Sequence, residues 1–362
     1  MRKAASPSAL LCCFLLAAPL QAAESTRVLK AELPAAAQGR FRVENLAGSM
    51  RVVPATDGRV TAVATVHAES DKDAGLMRFE QVSGADGVPT LRVIYPLDKY
   101  EAIRYDSGAH QRGLWGGMGS NTSTKYDGHR VKVSSGDGVL LYADLEVHVP
   151  PVPGLEVVFR NEVGRLEAEG VEGKLRFDSS SADIILKRLK GEIHADTGSG
   201  DVKAGMLEGA FSCNTGSGDC HLTGFEGERL VVNVGSGDVY VKSARAGRIS
   251  AETGSGDIFV TDSDAEGVEA DTGSGDVTLE SRGGRMVEVK AQTGSGDVTL
   301  RLGPEATFEA RADQGSGDIG TGFKDAEVIL QHRRVVGYRR GDARIRIEVS
   351  TGSGDLRIDP LR

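Results

Sequence analysis

From residue 190 onward, apolar and polar side chains alternate in short runs, and each run meets the same five-residue corner. After the corner the first and third positions are apolar: Val202 and Ala204, Val239 and Val241, Ile258 and Val260, Val277 and Leu279, Val298 and Leu300, Leu356 and Ile358. Before it the alternation gives Ile193-x-Ala195, Leu230-x-Val232, Ile249-x-Ala251, Val268-x-Ala270, Val289-x-Ala291 and Ile347-x-Val349. A period of two puts one set of side chains inside and the other outside, which predicts strands. A second turn, marked by Gly191, Gly209, Gly227, Gly247, Gly267 and Gly284, closes each unit. Two strands and two turns in about nineteen residues make one coil, and successive coils pair in parallel about 4.8 Å apart. The expected fold is all-β, a right-handed parallel β-solenoid.

The corner reads Thr-Gly-Ser-Gly-Asp, with aspartates at Asp201, Asp219, Asp238, Asp257, Asp276, Asp297, Asp318 and Asp355. The steps between them are 18, 19, 19, 19, 21, 21 and 37 residues, the last reading as two periods with a signature missing near Gly337. An eroded copy, Ser179-Ser180-Ser181-Ala182-Asp183, lies one step upstream. Both glycines are expected to take positive φ so that the chain reverses, each Asp to cap its own turn amides, and Thr and Ser to face outward. One coil cannot stand alone. Roughly four inward aliphatics contribute about 1.5 to 3 kcal/mol each, against about 1 to 2 kcal/mol of backbone entropy for every residue ordered. Stability therefore accrues by stacking.

Upstream, alternation at Val28 to Leu33, Phe41 to Val43, Met50 to Val53, Val60 to Val66, Leu91 to Tyr95 and Val139 to Val149 predicts strands of an irregular N-terminal β cap over the solenoid's open end. Pro150-Pro151-Val152-Pro153 marks the expected boundary between an N-terminal region, residues 24–150, and the solenoid, residues 151–362. A polar, Gly-rich stretch over residues 98–134 carries Tyr100, Tyr105, Trp115 and Tyr126. Loops of this length are functional or disordered, so these aromatics either form an exposed binding surface or decorate an insertion.

Composition changes the picture in three ways. Aromatics are only 5% of the chain and Gly is abundant at 48 residues, which favours thin, turn-rich β layers over a helical globule. Arg2 and Lys3, an apolar run from Ala9 to Leu20 and the small residues Ala22 and Ala23 read as a secretory signal peptide over residues 1–23, cleaved after Ala22 or Ala23. The expected location is periplasmic or secreted, and no second apolar stretch approaches membrane-spanning length. The formal net charge of −9 counts the two basic residues of the signal, so the mature chain is more acidic still and nucleic acid is excluded as a natural partner.

Cys12 and Cys13 leave with the signal, which leaves Cys213 and Cys220 for an oxidising compartment. Both fall on core columns flanking one corner, within reach of a disulfide. The alternative is a pair of buried thiols filling the volume of Ala plus Val.

The aligned aspartates Asp201, Asp219, Asp238, Asp257, Asp276 and Asp297 offer a calcium column beside a second polar column at Asp178, Asp196, Asn214, Asn233, Glu252, Asp271, Gln292 and Asp313. Turn capping accounts for the same residues without metal. The repulsion between solvated aspartates about 4.8 Å apart is only about 0.9 kcal/mol per pair, less than the 1.5 to 3 kcal/mol, roughly, that a charged acceptor gains from hydrogen bonds. No cofactor is called for.

The seven histidines are scattered, the motif serines recur too regularly for one of them to be a nucleophile, and no His-Glu-x-x-His or Gly-x-Ser-x-Gly is present. The basic stretch from Arg333 to Arg346 reads as a solvated closing hairpin.

The serial Thr-Gly-Ser-Gly-Asp-Val/Ile coils, with Leu145-Glu-Val-His-Val-Pro-Pro-Val-Pro-Gly-Leu-Glu-Val before them, resemble a bacterial family of unknown function labelled "putative adhesin", over residues 145–359. The resemblance implies a β-helical fold and a cell-envelope setting, and transfers no catalytic residues. Residues 27–140 match it loosely, and the aromatic insert departs from it. The function expected is non-catalytic: an adhesin-like binding or scaffolding protein whose partner is a cell-surface glycan or an envelope protein. A polysaccharide-cleaving β-solenoid enzyme is the alternative of a different class, and a calcium-stabilised repeat protein is another.

Overall fold

The computed structural model describes residues 24–33, 39–83, 87–105, 121–282 and 284–361. The expected signal segment and Trp115 lie outside the described residues. The described chain is nearly all strand, with one helical turn, Asp71–Ala74, capped by Ser70.

Strands pair in parallel from coil to coil without changing face. One buried column runs Ile193, Phe211, Leu230, Ile249, Val268, Val289 in register, each 2% exposed or less. The outward residues that follow them are His194, Ser212, Val231, Ser250, Glu269 and Lys290, polar but for Val231, so the period-two pattern holds on both faces. Parallel pairing also satisfies the backbone of each coil through the next.

The stack passes the expected boundary at 150–153. Arg40–Pro54 pairs in parallel with Glu156–Glu169 from Arg40↔Glu156 to Val52↔Ala168 and, on its other side, with Pro89–Ile94 and Val139–Val149, making it a layer of the stack. The corner of Glu156–Glu169 keeps the later chemistry with Asn in place of Thr: buried Asn161 donates Nδ2 to the Gly48 carbonyl of the coil before it at 2.9 Å. Beside this coil, Val60–Ala68 lies antiparallel between Ser25–Leu33 and Val139–Val149. His67 sits in this sheet with its ring stacked on Tyr142 at 4.4 Å, Nδ1 2.5 Å from Glu24 Oε1 and Nε2 3.3 Å from Asp144 Oδ2. Asp144 in turn accepts from the Ser49 amide and hydroxyl.

Where the 98–134 stretch is described, it is built into the protein. Thr122–Tyr126 and His129–Ser134 form an antiparallel pair, joined by Ala102–Arg104. Tyr126 is 4% exposed, packs edge-on against Tyr95 and donates its hydroxyl to the Val93 carbonyl. Tyr100 donates to Asp73 Oδ1, and Tyr105 packs edge-on against Tyr142. The expected exposed aromatic surface is thus corrected: these three rings are packing residues. The first eroded glycine position is explained by the same docking, because Ser180, which stands there, exchanges a hydroxyl contact with Thr124 that a glycine would lose, and Ser181 beside it meets Thr122.

The C-terminal order departs from the sequence. Ile345–Ser353 pairs in parallel with Glu288–Ser295 on one side and Phe308–Ser316 on the other. Leu356–Pro360 likewise lies between Val298–Leu302 and Ile319–Thr321. The last coil is therefore inserted between two coils that precede it. The 37-residue step is no lost signature: it holds the hairpin of Glu327–Gln331 and Arg334–Arg340, whose second strand pairs antiparallel with Phe308–Ser316 at the end of the stack.

Candidate ligand-binding groove

The corner is made by two interlocking ladders and a pair of glycines. The Thr side chain continues the inward alternation, so Thr197, Thr215, Thr253, Thr272, Thr293 and Thr351 are each 5% exposed or less, not outward as expected. Thr253 Oγ1 donates to the Gly237 carbonyl of the preceding coil at 2.9 Å, and Thr272 and Thr293 repeat the bond to Gly256 and Gly275. Where the residue is Gln314, its side-chain amide reaches the Gly354 carbonyl instead.

The glycines differ in purpose. A Cβ on Gly254 would stand 2.5 Å from the Gly235 carbonyl oxygen, so the first position is glycine because coils approach too closely. Gly256, at the second position, combines a φ of 153° with a Cβ clash of 2.1 Å against the Gly237 oxygen.

From Asp201 to Asp297 each corner aspartate accepts the aspartate amide of the next coil, where capping of its own turn was expected. Asp201 Oδ1 accepts the Asp219 amide at 3.1 Å, Asp219 that of Asp238 at 2.9 Å, Asp238 that of Asp257 at 2.9 Å and Asp257 that of Asp276 at 2.8 Å. Asp276 accepts from Asp297, and Asp297 from Asp355. One oxygen of every calcium candidate is thereby committed to a backbone amide. The second is drawn to Lys203 at Asp201 and to the Tyr240 hydroxyl at Asp238. Among the described residues no group of three or more His, Cys, Asp or Glu side chains is placed to hold a metal ion. Residues 208–359 match the family model described as Toastrack DUF4097.

The match takes in the corners from Thr215 to Asp355 and leaves the full corner Thr197-Gly-Ser-Gly-Asp201 outside it. No curated protein matches the chain. Among solved structures it is similar to a "putative cell adhesion protein" from Clostridium sporogenes ATCC 15579 at 10% identity, covering 94% of this chain and 100% of that one, TM-score 0.20. A "putative adhesin" from Bacteroides fragilis NCTC 9343 gives 12% identity, 92% and 97% coverage and a TM-score of 0.34. A "putative lipid binding protein" from Parabacteroides distasonis ATCC 8503 gives 10% identity, 94% and 97% coverage and a TM-score of 0.40.

Beside the corners the second polar column is in register as Asp196, Asn214, Asn233, Glu252, Asp271 and Gln292, then Ser350 and Asp313. It lines a shallow groove of about 560 Å³ from Asp196 to Asp271. From Asp271 the depression continues into a larger cleft of about 1250 Å³, walled by Arg334, Val335 and Val336 of the C-terminal hairpin. Asn233 Nδ2 donates to Asn214 Oδ1 at 2.9 Å, which sets both amides along the groove. At its start Arg176 binds both Asp178 oxygens and reaches Asp196. Burial raises the Asp178 carboxyl above its ordinary range despite this pairing.

The column was visible in sequence as the residue preceding Thr. A third outward ladder, on the other side of the corner, was not. His221, Tyr240 and Phe259 stack at 4.5 and 5.1 Å with rings within 6° of parallel. They occupy the second position after three successive aspartates, a signal overlooked when the repeats are aligned for inward columns alone. The hydrogen bond to Asp238 pushes the Tyr240 phenol up to about 12.

Cys213 and Cys220 face each other across their corner, fully buried, with Sγ atoms 2.8 Å apart. Cys213 stands in register with Ala195 and Val232, Cys220 with Val202 and Val239.

Proposed function

We propose that this chain is an exported, non-catalytic binding protein of the cell envelope, a right-handed solenoid with the N-terminal antiparallel sheet as its cap. Its groove takes an extended, hydroxyl-rich polymer, a glycan strand. The observation that carries this reading is the continuous polar column from Asp196 to Asp313 and the depression that follows it. Polar rungs of differing side chain repeat about every 4.8 Å, so the surface offers hydrogen-bonding groups at a fixed interval, suited to a repeating ligand. The corner aspartates are spent on the stack, which leaves recognition to the column.

One observation favours the second reading, a polysaccharide-cleaving enzyme. Glu252 and Asp271 are register partners on adjacent coils, and carboxyl groups about 5 Å apart suit a retaining glycosidase. One experiment separates the readings. Binding to immobilised glycans is measured for the wild type, Asn214→Ala/Asn233→Ala and Glu252→Gln, with product analysis on the same glycans. The binding reading requires retained ligand without cleavage and at least about tenfold weaker binding in the double variant, the loss of about 1.4 kcal/mol. Cleavage abolished by Glu252→Gln overturns it in favour of the enzyme.

A further inference from the structure

The narrow groove beside the corners is one-sided in charge. Its rungs Asp196, Asn214, Asn233, Glu252 and Asp271 are register partners in turn, and no Lys, Arg or His lines it. Arg176 reaches Asp196 at the start of the groove. Glu252 and Asp271, at the other end, have no ion pair or hydrogen bond on their carboxylates among the described residues. The cations on neighbouring positions are engaged elsewhere. Arg248, on the strand of Glu252, reaches Glu269 and Glu288, and Lys290, on the strand beside Asp271, meets Glu288. The amide pair extends the same imbalance. Asn233 donates Nδ2 to Asn214, and its own Oδ1 receives no donor among the described residues. Three successive rungs, Asn233, Glu252 and Asp271, thus carry acceptors that no described group donates to.

We infer that the glycan in this groove is a polymer of amino sugars with free amines, its ammonium groups held by Asn233, Glu252 and Asp271; the inference rests on the glycan-binding reading of the groove. An ammonium group brings several donors and the positive charge that the groove lacks, and charge-assisted hydrogen bonds are about twice as strong as neutral ones. An acidic polymer meets uncompensated carboxylates, a repulsive element that excludes it. The spacing selects a sugar chain over a basic peptide. An extended, equatorially linked hexose chain advances by close to one rung per sugar, so its substituents stay in step with the coils. An extended peptide returns a side chain to the same face only every two residues, about 6.6 Å, against rungs about 4.8 Å apart.

Calorimetric titration of the mature chain tests this at mildly acid pH, where the carboxylates stay ionised and sugar amines are protonated. The probes are cellohexaose, chitohexaose and deacetylated chitohexaose, which share one backbone and carry a hydroxyl, an acetamido or an ammonium group at the same carbon. The ammonium form is expected to bind at least about tenfold tighter than either of the others, with the gap closing as salt is added. In Glu252→Gln/Asp271→Asn the ratio of ammonium-form to hydroxyl-form affinity falls at least about fivefold. Equal binding of the three forms, or a preference that the double variant keeps, overturns this inference and leaves the glycan reading standing. Hexalysine bound as tightly as the amino sugar shows charge recognition without spacing and overturns it too. Binding of none of the three hexasaccharides removes both.

Discussion

The backbone N–H of Asp318 donates to Oδ1 of Asp355 at 2.8 Å, although Asp355 comes 37 residues later. The aspartate ladder therefore runs through Asp297, Asp355 and Asp318 in that order. The last coil is an interior layer and should behave as one. Ile347 is 0% exposed and stands in register with Val289 on one side and Ala310 on the other. Its replacement by Ala should cost about 2 to 5 kcal/mol. Denaturant melts measure this. A cost under about 1 kcal/mol, typical of a frayed chain end, would show that the coil is not inserted.

The buried threonines predict a matched pair of substitutions. Thr253→Val removes a hydroxyl whose acceptor is the Gly237 carbonyl, and should destabilise by about 1 kcal/mol. Val234 shows that valine fits the same column, since the two residues are register partners. Val234→Thr should therefore stabilise by about 0.5 to 1 kcal/mol. Equal melting temperatures for all three proteins would remove the hydroxyl ladder from the account of the corner.

Fold class, coil period and both corner-flanking columns were legible in the sequence because they repeat. The Thr position was legible too, since the alternation of Ile249 and Ala251 reaches Thr253, but its place in a turn-like motif disguised it. The insertion of the last coil was not legible: Ile347-x-Val349 looks the same whichever neighbours it meets, and order in space is not written into a repeated pattern. Nor was the burial of Tyr126, because the polar sequence around it satisfies a docked hairpin as well as a loop. The groove needed the hairpin wall, and no local signal placed Val335 over the column from Asp271 to Asp313.

His67 predicts a pH dependence of known sign. Hydrogen bonding to Asp144 is the largest influence and raises the imidazole above its ordinary 6.5, with Glu24 adding to it and burial opposing. Asp144 itself is lowered by His67 and Ser49 against the opposing effect of burial. A raised histidine contributes stability that is complete below about 6.5 and is lost as pH rises through the folded value. Asp144 contributes stability present above its ordinary range and lost as acid protonates it. His67→Phe keeps the ring against Tyr142 and should flatten the decline in melting temperature between about pH 6 and 8. An unchanged decline would assign it to other groups.

In an oxidising compartment the cysteine pair is expected to close into a bridge. Unfolded without reductant, chain recovered from an oxidising compartment should take up no alkylating label, and with reductant it should take up two labels at Cys213 and Cys220. Labelling of both without reductant would establish a thiol pair. As thiols they are protected, because the shared hydrogen bond and burial push Cys213 well above its ordinary value.

Calcium should do little. With Asp219 and Asp257 each giving one oxygen to the next coil's amide, melting temperatures with calcium and with chelator should agree. An upward shift of several degrees with calcium would return the column to metal binding.

The inserted coil also imposes an order in time. A chain emerging from its N-terminus completes Phe308–Ser316 before Ile345–Ser353 exists, yet the finished protein keeps these two side by side. Glu288–Ser295 and Phe308–Ser316 cannot both take their final neighbour until Ile345–Ser353 has been made. A chain cut before Ile345 keeps the earlier signature corners and lacks the wedge between them.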